Sequence, residues 1–516
     1  MNMNGSNNGR QRHLLAVCVT VSCLIASIGI SRTSSADSFD QLFGDDGLSE
    51  TQSPALRSQS LLPEYGESPA VSGAKSPDSN SLDPASLGTD SRDAVSMATW
   101  LPEPGRTTEP DEIQLAGWLS PQTPKRTQFT VAGFEFNPYG TIWSDMTFAS
   151  SRTVPGRFTL WIDSEESQGE SAFELDARRS RIGVDVIGPS IDLLGGFDSA
   201  AKFEVDFLGN FTTDNQPDVR LRHVYWEAKN ENARFLVGQT WDVVSPLLPN
   251  TVSFPVLWTA GNIGFRRNQL RLERYCSLTE TTSLTFQAAL AQNVIQDFAT
   301  GSSATGVTRE TGNWPMIQAR AAIECSSIQA GGKTMAIGTS GHIGDTGFDF
   351  SGGHPANPAL AAEDDVRIRT WSANMDAVMP LTERLSCQGE FFMGSNLSNL
   401  LGGAGQGVCP CLRVPIRSIG GWGEIEYRCG KKVTTHVGCS IDDPNDNDSL
   451  IGRTKNQAIY TNLFYQFNAN LTTGVEVSHR RTEYHNRTNE TGYTFVDAPT
   501  EPGEAVLIEG TLRYRF

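Results

Sequence analysis

The chain has 516 residues, with 49 Gly, 26 Pro, 41 Lys and Arg, 59 Asp and Glu, and a formal net charge of -18. A phosphate-binding surface must be basic, so this acidic balance, with no basic patch interleaved with aromatics, excludes nucleic acid as a general partner. The length would ordinarily hold roughly two to four domains, although barrels use more chain per domain.

At the N-terminal end Arg10, Arg12 and His13 precede an apolar run from Leu14 to Ile30, followed by the small residues Ser34, Ser35 and Ala36. This is the pattern of an export signal, which predicts a signal peptide over residues 1–36 and cleavage after Ala36. An uncleaved anchor is the alternative. No other stretch approaches the length of a membrane helix. Residues 37–130 are Ser/Pro-rich, polar and without a sustained period, as in "SPALRSQSLLPEYGESPAVSGAKSPDSNSLDPASLG". Such a segment buries too little apolar surface to offset chain entropy. It reads as a disordered, flexible extension, and its expected place is periplasmic, as a tether.

Residues 131–516 change character. Segments of about ten residues alternate apolar and polar, the period-2 signature of a strand with two unlike faces. Leu284, Phe286, Ala288 and Leu290 alternate with Thr285, Gln287 and Ala289. Val433, Thr435, Val437, Cys439 and Ile441 alternate with Thr434, His436, Gly438 and Ser440. About sixteen such strands are predicted, starting near Asn137, Phe173, Ala200, Asp218, Ala233, Arg267, Thr282, Met316, Thr334, Arg367, Thr382, Ile419, Lys431, Gln457, Leu471 and Ala505.

The links between strands take turns. Short ones such as "KNEN" (229–232), "GKK" (430–432) and "NAN" (468–470) alternate with long polar ones such as residues 292–313, "GDTGFDFSGGHPANPALAAEDD" and residues 394–418. A soluble sandwich has no reason for that regularity. A transmembrane antiparallel β-barrel does, with short periplasmic turns and long outer loops. The fold class is therefore all-β, and an even strand number places both ends of the barrel chain on the periplasmic side.

The final stretch, "EGTLRYRF", puts Leu512, Tyr514 and Phe516 on one face, expected toward lipid, and Arg513 and Arg515 on the other, expected toward a wet lumen. An open edge in lipid leaves backbone groups unsatisfied, so this strand is expected to close the barrel against the first. Its aromatic-x-Phe ending is similar to the assembly signal of bacterial outer-membrane barrels, which implies recognition by the barrel-assembly machinery.

"FELDARRSRIGVDV" (173–186), "AKFEVDFLGN" (201–210), "VRLRHVYWEAKN" (219–230) and "ARFLVGQTWDVVSPLLPN" (233–250) resemble the DcaP-like porins. The resemblance covers residues 137–274, with only strand rhythm and the terminal signature thereafter. It implies a homotrimeric, sixteen-stranded porin favouring small organic anions such as dicarboxylates. The family also implies a coiled coil before the barrel, which residues 37–130 do not match.

A pore needs a constriction and an electrostatic profile. In porins that resemble this one the third outer loop folds into the lumen, and "WDVVSPLLPNTVSFPVLWTAGNIGFR" (241–266) is that loop here. It is unusually apolar for an exposed loop, and Trp241, Asp242, Phe254 and Trp258 are its expected constriction residues. Packing at a subunit interface or against other loops is the alternative. Alternation places Arg181, Arg267, Arg271 and Arg320 toward the lumen, with Arg222 assigned inside although "RLRHVYW" reads either way. Guanidinium suits carboxylates, so these arginines are the candidate pore-lining, anion-binding residues. Lumenal carboxylates are expected as well, at Glu204, Asp206, Glu390, Glu424, Glu426 and Glu476, and structural pairing with them is the competing reading.

Other motifs are weak. "GGKT" (331–334) lacks the first Gly of a P-loop and reads as a turn, and "DDPNDNDS" (442–449) has no EF-hand spacing. Cys409 and Cys411 read as ordinary thiols, or as a partner for one other Cys, ahead of metal binding. No metal site, cofactor or catalytic constellation is identified, so the chain reads as no enzyme. The expected function is an outer-membrane porin, a passive diffusion channel for small hydrophilic solutes in contact with outer-membrane lipid. The rival is a non-conducting surface-binding or structural barrel, adhesin-like or receptor-like, with its lumen closed by loops.

Overall fold

The computed structural model describes residues 128–167, 169–192, 196–209, 216–293 and 307–516. The expected signal peptide and nearly all of the polar extension, residues 1–127, lie outside the described residues.

Sixteen antiparallel strands close into one barrel. In chain order they are β1 (Phe134–Ala149), β2 (Ala172–Asp176 and Arg181–Ile187), β3 (Asp198–Asp206), β4 (Arg220–Lys229) and β5 (Ala233–Trp241). There follow β6 (Arg266–Ser277), β7 (Thr282–Ala291), β8 (Met316–Ala330), β9 (Lys333–Phe350), β10 (Glu363–Pro380) and β11 (Leu385–Ser395). The last five are β12 (Arg417–Arg428), β13 (Val433–Pro444), β14 (Ile451–Gln466), β15 (Leu471–Asn486) and β16 (Gly503–Arg515). Each strand pairs with its neighbour in sequence, and β16 returns to β1 with the register Leu512↔Ser144, Tyr514↔Ile142 and Arg515↔Thr141. Phe516 and Gly140 exchange both backbone bonds at 3.0 Å. The closure expected of the last strand is thus present, and no ladder edge in the ring faces lipid.

Side-chain alternation follows the closure. Ile182, Leu270, Leu272, Phe286, Val437, Ile459, Val475, Ile508 and Leu512 are exposed on the outside, where an aqueous surface would be penalised and hydrocarbon is favourable. At the end carrying the short turns, Tyr465 packs edge-on against Phe467 at 4.8 Å, and Tyr514 lies beside Phe516. These are the amphipathic rings expected at a headgroup boundary. Inward positions are polar, as at Glu476, Ser478, Arg480 and Thr482 on β15.

Three departures from the simple pattern matter for the interior. β2 is broken at residues 177–180, and that inward excursion carries Arg178 and Arg179 into the lumen, where both are buried. β3 and β4 contain a register shift at Glu204/Val205. This β-bulge adds a residue to one strand, so Arg222 and His223 both point inward and Leu221 and Val224 both point out. The ambiguous parity of "RLRHVYW" comes from that inserted residue. Finally, "GDTGFDF" is not part of a loop: β9 continues to Phe350 and β10 begins at Glu363, so this hairpin stands beyond the expected strand ends. Residues Val307–Thr311 pair with the extension of β9.

Outward Ile508 sits midway along β16. Replacing it, Ile508→Arg, should cost about 2–4 kcal/mol if the position lies at the bilayer midplane. Urea titration of refolding into lipid vesicles checks this, and the inward substitution Thr511→Ser on the same strand should shift the midpoint far less.

Candidate functional site: a three-loop assembly in the barrel mouth

The link between β5 and β6, residues 242–265, runs inside the barrel. Its root is Asp242, buried at the top of β5. One carboxylate oxygen accepts from Gln318 Nε2 at 2.7 Å and lies 2.7 Å from Arg267 Nε; the other accepts from Phe265 N at 2.9 Å. A single carboxylate therefore ties both ends of the loop to β6 and β8.

From that root the loop crosses the inner wall strand by strand, donating outward as it goes. Val243 N donates to Gln318 Oε1 on β8 at 3.1 Å and Ser245 N to Ser340 Oγ on β9 at 3.3 Å. Leu247 N donates to Glu390 on β11 at 2.6 Å and Asn250 N to Glu424 on β12 at 2.8 Å. Val252 N and Thr251 Oγ1 donate to the two oxygens of Glu476 on β15, at 2.7 and 2.6 Å. Glu390, Glu424 and Glu476 are all buried. These bonds satisfy loop amides that would otherwise be stranded away from water. The backbone also presses close to the wall. Gly261 has φ +119°, and a Cβ there would lie 2.3 Å from the Gly421 carbonyl oxygen. No side chain fits that approach. Val256, Leu257 and Thr259 also hold left-handed φ values of 44°, 64° and 62°, strain that persists only where the surroundings over-determine it.

The apolar residues of this loop form a core with two other loops. Phe254, Val256 and Trp258 pack with Phe158, Leu160 and Trp161 from residues 150–171, and with Leu401 from residues 396–416. Trp258, 1% exposed, has Phe265, Phe158, Trp241 and Phe254 around it at 5.3–6.3 Å. A second cluster joins Val244 and Ile263 to Phe392, Leu397 and Leu400. The backbones interlock as well: Thr259 N donates to Leu401 O at 2.7 Å and Gly264 N to Leu400 O at 2.8 Å. Asn456 Nδ2 on β14 bonds both Leu160 O and Thr259 O, at 2.8 and 2.9 Å. The expected insertion and the alternative, packing against other loops, are thus both present. The loop enters the barrel and meets two more loops there.

All five candidate arginines point inward, and ion pairs hold Arg222, Arg267, Arg271 and Arg320. Arg222 holds Glu204 at 2.6 Å and Asp206 at 3.1 Å. Arg267 holds Asp242, and Arg271 lies 3.5 Å from Glu273 and donates to the Trp241 carbonyl. Arg320 clasps Asp376 through two bonds, at 2.6 and 3.1 Å. Arg181 lies 5.4 Å over the Trp143 ring, which Arg179 and Arg513 share at 3.8 and 5.1 Å. These residues do not form one row. Arg181, Arg222, Arg179 and Arg513 sit on the wall of β1 to β4 and β16, Arg267 supports the loop root, and Arg320 belongs to a separate pair across β8 and β10.

Other inward residues were not singled out from the sequence. Arg157 reaches from residues 150–171 to Asp145 on β1 at 3.0 Å and Glu509 on β16 at 3.5 Å. Arg179 donates to Val252 O at 2.9 Å, and Arg480 donates to Ser253 Oγ at 2.7 Å and Thr159 O at 3.3 Å. The signal for the first loop was present in "RFTLWID" (157–163), as apolar for an outer loop as the stretch 241–266.

Glu476→Ala removes three bonds, those from Thr251, Val252 and Asn462. At about 1–3 kcal/mol for each buried donor left without a partner, residues 250–258 should lose their seat. Limited proteolysis of the folded barrel in detergent should then cut within this loop, where the parent protein resists.

No family model matches the chain, and no curated protein matches it. Among solved structures, the barrel is similar to the outer membrane channel DcaP of Acinetobacter baumannii, with a TM-score of 0.56 and 16% sequence identity over 75% of this chain and 99% of that one. An anion-selective porin from Comamonas acidovorans has a TM-score of 0.47 and 10% identity over 74% of this chain and 100% of the other. OmpF of Salmonella typhi has a TM-score of 0.44 and 12% identity over 76% of this chain and 100% of the other. The resemblance seen in the first strands therefore extends to the whole ring, and the chain has the fold of a DcaP-like outer-membrane porin.

Proposed function

We propose that the protein is an outer-membrane diffusion channel for small hydrophilic solutes. The observation that carries this reading is the course of residues 242–265: a long loop seated inside a closed barrel, bonded to the wall from β8 to β15, narrows the lumen at one level. Trp241, Asp242, Phe254 and Trp258 belong to that constriction. Asp242 fixes its root, and the three aromatics give it a rigid apolar body against which Arg179, Arg220 and Arg266 stack at 4.5–5.8 Å.

The way the two sides of the lumen are used supports a preference for small organic anions. Glu390, Glu424 and Glu476 are occupied by the inserted loop. On the wall of β1 to β4 and β16, guanidinium groups are already bound to carboxylates, as in Arg222 with Glu204 and Asp206. A permeating dicarboxylate would exchange with such an internal partner, meeting the same fork geometry. The likeness to the DcaP channel is consistent with a channel at the level of fold. Assembly as a homotrimer, insertion through the barrel-assembly machinery and a periplasmic N-terminal extension complete it.

A second reading is favoured by one observation, the apolar core formed by the three loops in the mouth. If that core seals the lumen, the barrel is a non-conducting, surface-binding or structural one.

Planar-bilayer recording separates the two. Stepwise openings are expected, with a reversal potential in a salt gradient biased to anions; a folded barrel without openings overturns the channel. Combined Arg181→Ala and Arg222→Ala should move the reversal potential toward cations, and an unchanged potential removes these two residues from the selectivity filter.

A further inference from the structure

The loop between β11 and β12, residues 396–416, has two halves. Its first half, Leu397 to Leu401, supports the inserted loop through Leu400 O and Leu401 O. Its second half is a small hairpin in which Val408–Cys409 pairs with Val414–Pro415. A tight turn, with Arg413 N donating to Cys409 O at 2.7 Å, folds the chain so that Cys409 and Cys411 face each other. Their Sγ atoms are 2.9 Å apart, and both residues are buried. Around them pack Ala356 from the β9–β10 loop, Leu450 from the β13–β14 loop, Tyr493 and Val496 from the β15–β16 loop, and Ile416 and Leu412 of their own loop. Four outer loops therefore meet on this one Cys-Pro-Cys turn.

Two thiols gain little from such a place, since S–H is a weak donor in an apolar pocket. A covalent bond gains more. Joining the sulfurs requires a movement from 2.9 Å to about 2.05 Å, within a turn whose backbone already brings the two side chains together. The other described cysteines, Cys276, Cys325, Cys387, Cys429 and Cys439, lie on strands or in a short turn, away from this loop.

We propose that Cys409 and Cys411 form a disulfide in the exported protein, a covalent pin in the hairpin on which the outer loops pack. The inference rests on the outer-membrane reading, because disulfides form and persist outside the cytosol. The chemistry is thiol–disulfide exchange with a protein or small-molecule disulfide as oxidant. One cysteine thiolate attacks the donor disulfide to give a mixed disulfide and release one donor thiol. The second cysteine, losing its proton, attacks the first Sγ and releases the other donor thiol. The chain loses two protons and two electrons, and the donor gains both. Exchange takes place before the loops pack, since the folded pair is closed to bulky reagents.

The test uses full-length protein from fractionated cells, with free thiols blocked at lysis by iodoacetamide under denaturing conditions. The expected result is a peptide carrying Cys409 and Cys411 and no other Cys, unalkylated and about 2 Da lighter than its dithiol form. That peptide should become doubly alkylated only after prior reduction. In Cys409→Ser the single thiol of Cys411 should be alkylated without reduction. Outer-membrane protein alkylated at both positions overturns the disulfide and leaves the channel reading standing, as does a bridge from either residue to another cysteine. Protein recovered only from the cytoplasm, with both thiols free, overturns the export reading and the disulfide together.

Discussion

A backbone amide or carbonyl in hydrocarbon has nowhere else to bond, and the rest of this molecule follows from that constraint. It requires the ladder of β1 to β16 to close, with Phe516 and Gly140 completing the seam. Closure sorts every strand into an apolar outer row and an inner row that lipid cannot reach. The inner row is free to be polar, and only because it is polar can it receive the amides of a loop folded inward. Glu390, Glu424 and Glu476 serve the loop backbone inside the ring as the neighbouring strand serves the ladder.

The three loops in the mouth face opposite demands and meet both. Their apolar side chains, with Trp258 at the centre, need partners away from water, and only one another's side chains are at hand. Their backbones need acceptors and donors, and the wall supplies these through Glu424, Glu476, Asn456 and Arg480. Arg157 shows how closely the two are joined. It belongs to a loop, yet its charge is satisfied by Asp145 and Glu509 on the first and last strands of the ring. The seam of the barrel and the seat of the loops thus share an ion-pair network.

Much of the ring was legible in the sequence, because alternation, turn residues and link length are local signals. The starts of β2, β5, β7, β8 and β15 fall within a residue of their expected positions, and Arg267, Arg271 and Arg320 point where parity placed them. What was hidden depended on partners distant in sequence. The bulge at Arg222 and His223 reverses parity because of the register with β3. The extension of β9 to Phe350 is held by β10 and by Val307–Thr311, and "GDTGFDF" alone reads as a polar loop. The insertion of residues 241–266 was visible as excess hydrophobicity; the matching loop carries the same signal at Phe158, Leu160 and Trp161, but over too few residues to stand apart from a strand until both meet at Trp258.

The anchors of the inserted loop lie on strands from β8 to β15, and its companions enter from residues 150–171 and 396–416. No short stretch of chain holds more than one of these parts. Each such contact closes a long loop of chain, at a cost in chain entropy that the contact must offset. Seating the loop therefore needs the wall of β8 to β15 already in register, because its acceptors Glu390, Glu424 and Glu476 stand on three of those strands: the mouth can be no narrower than the wall behind it is complete.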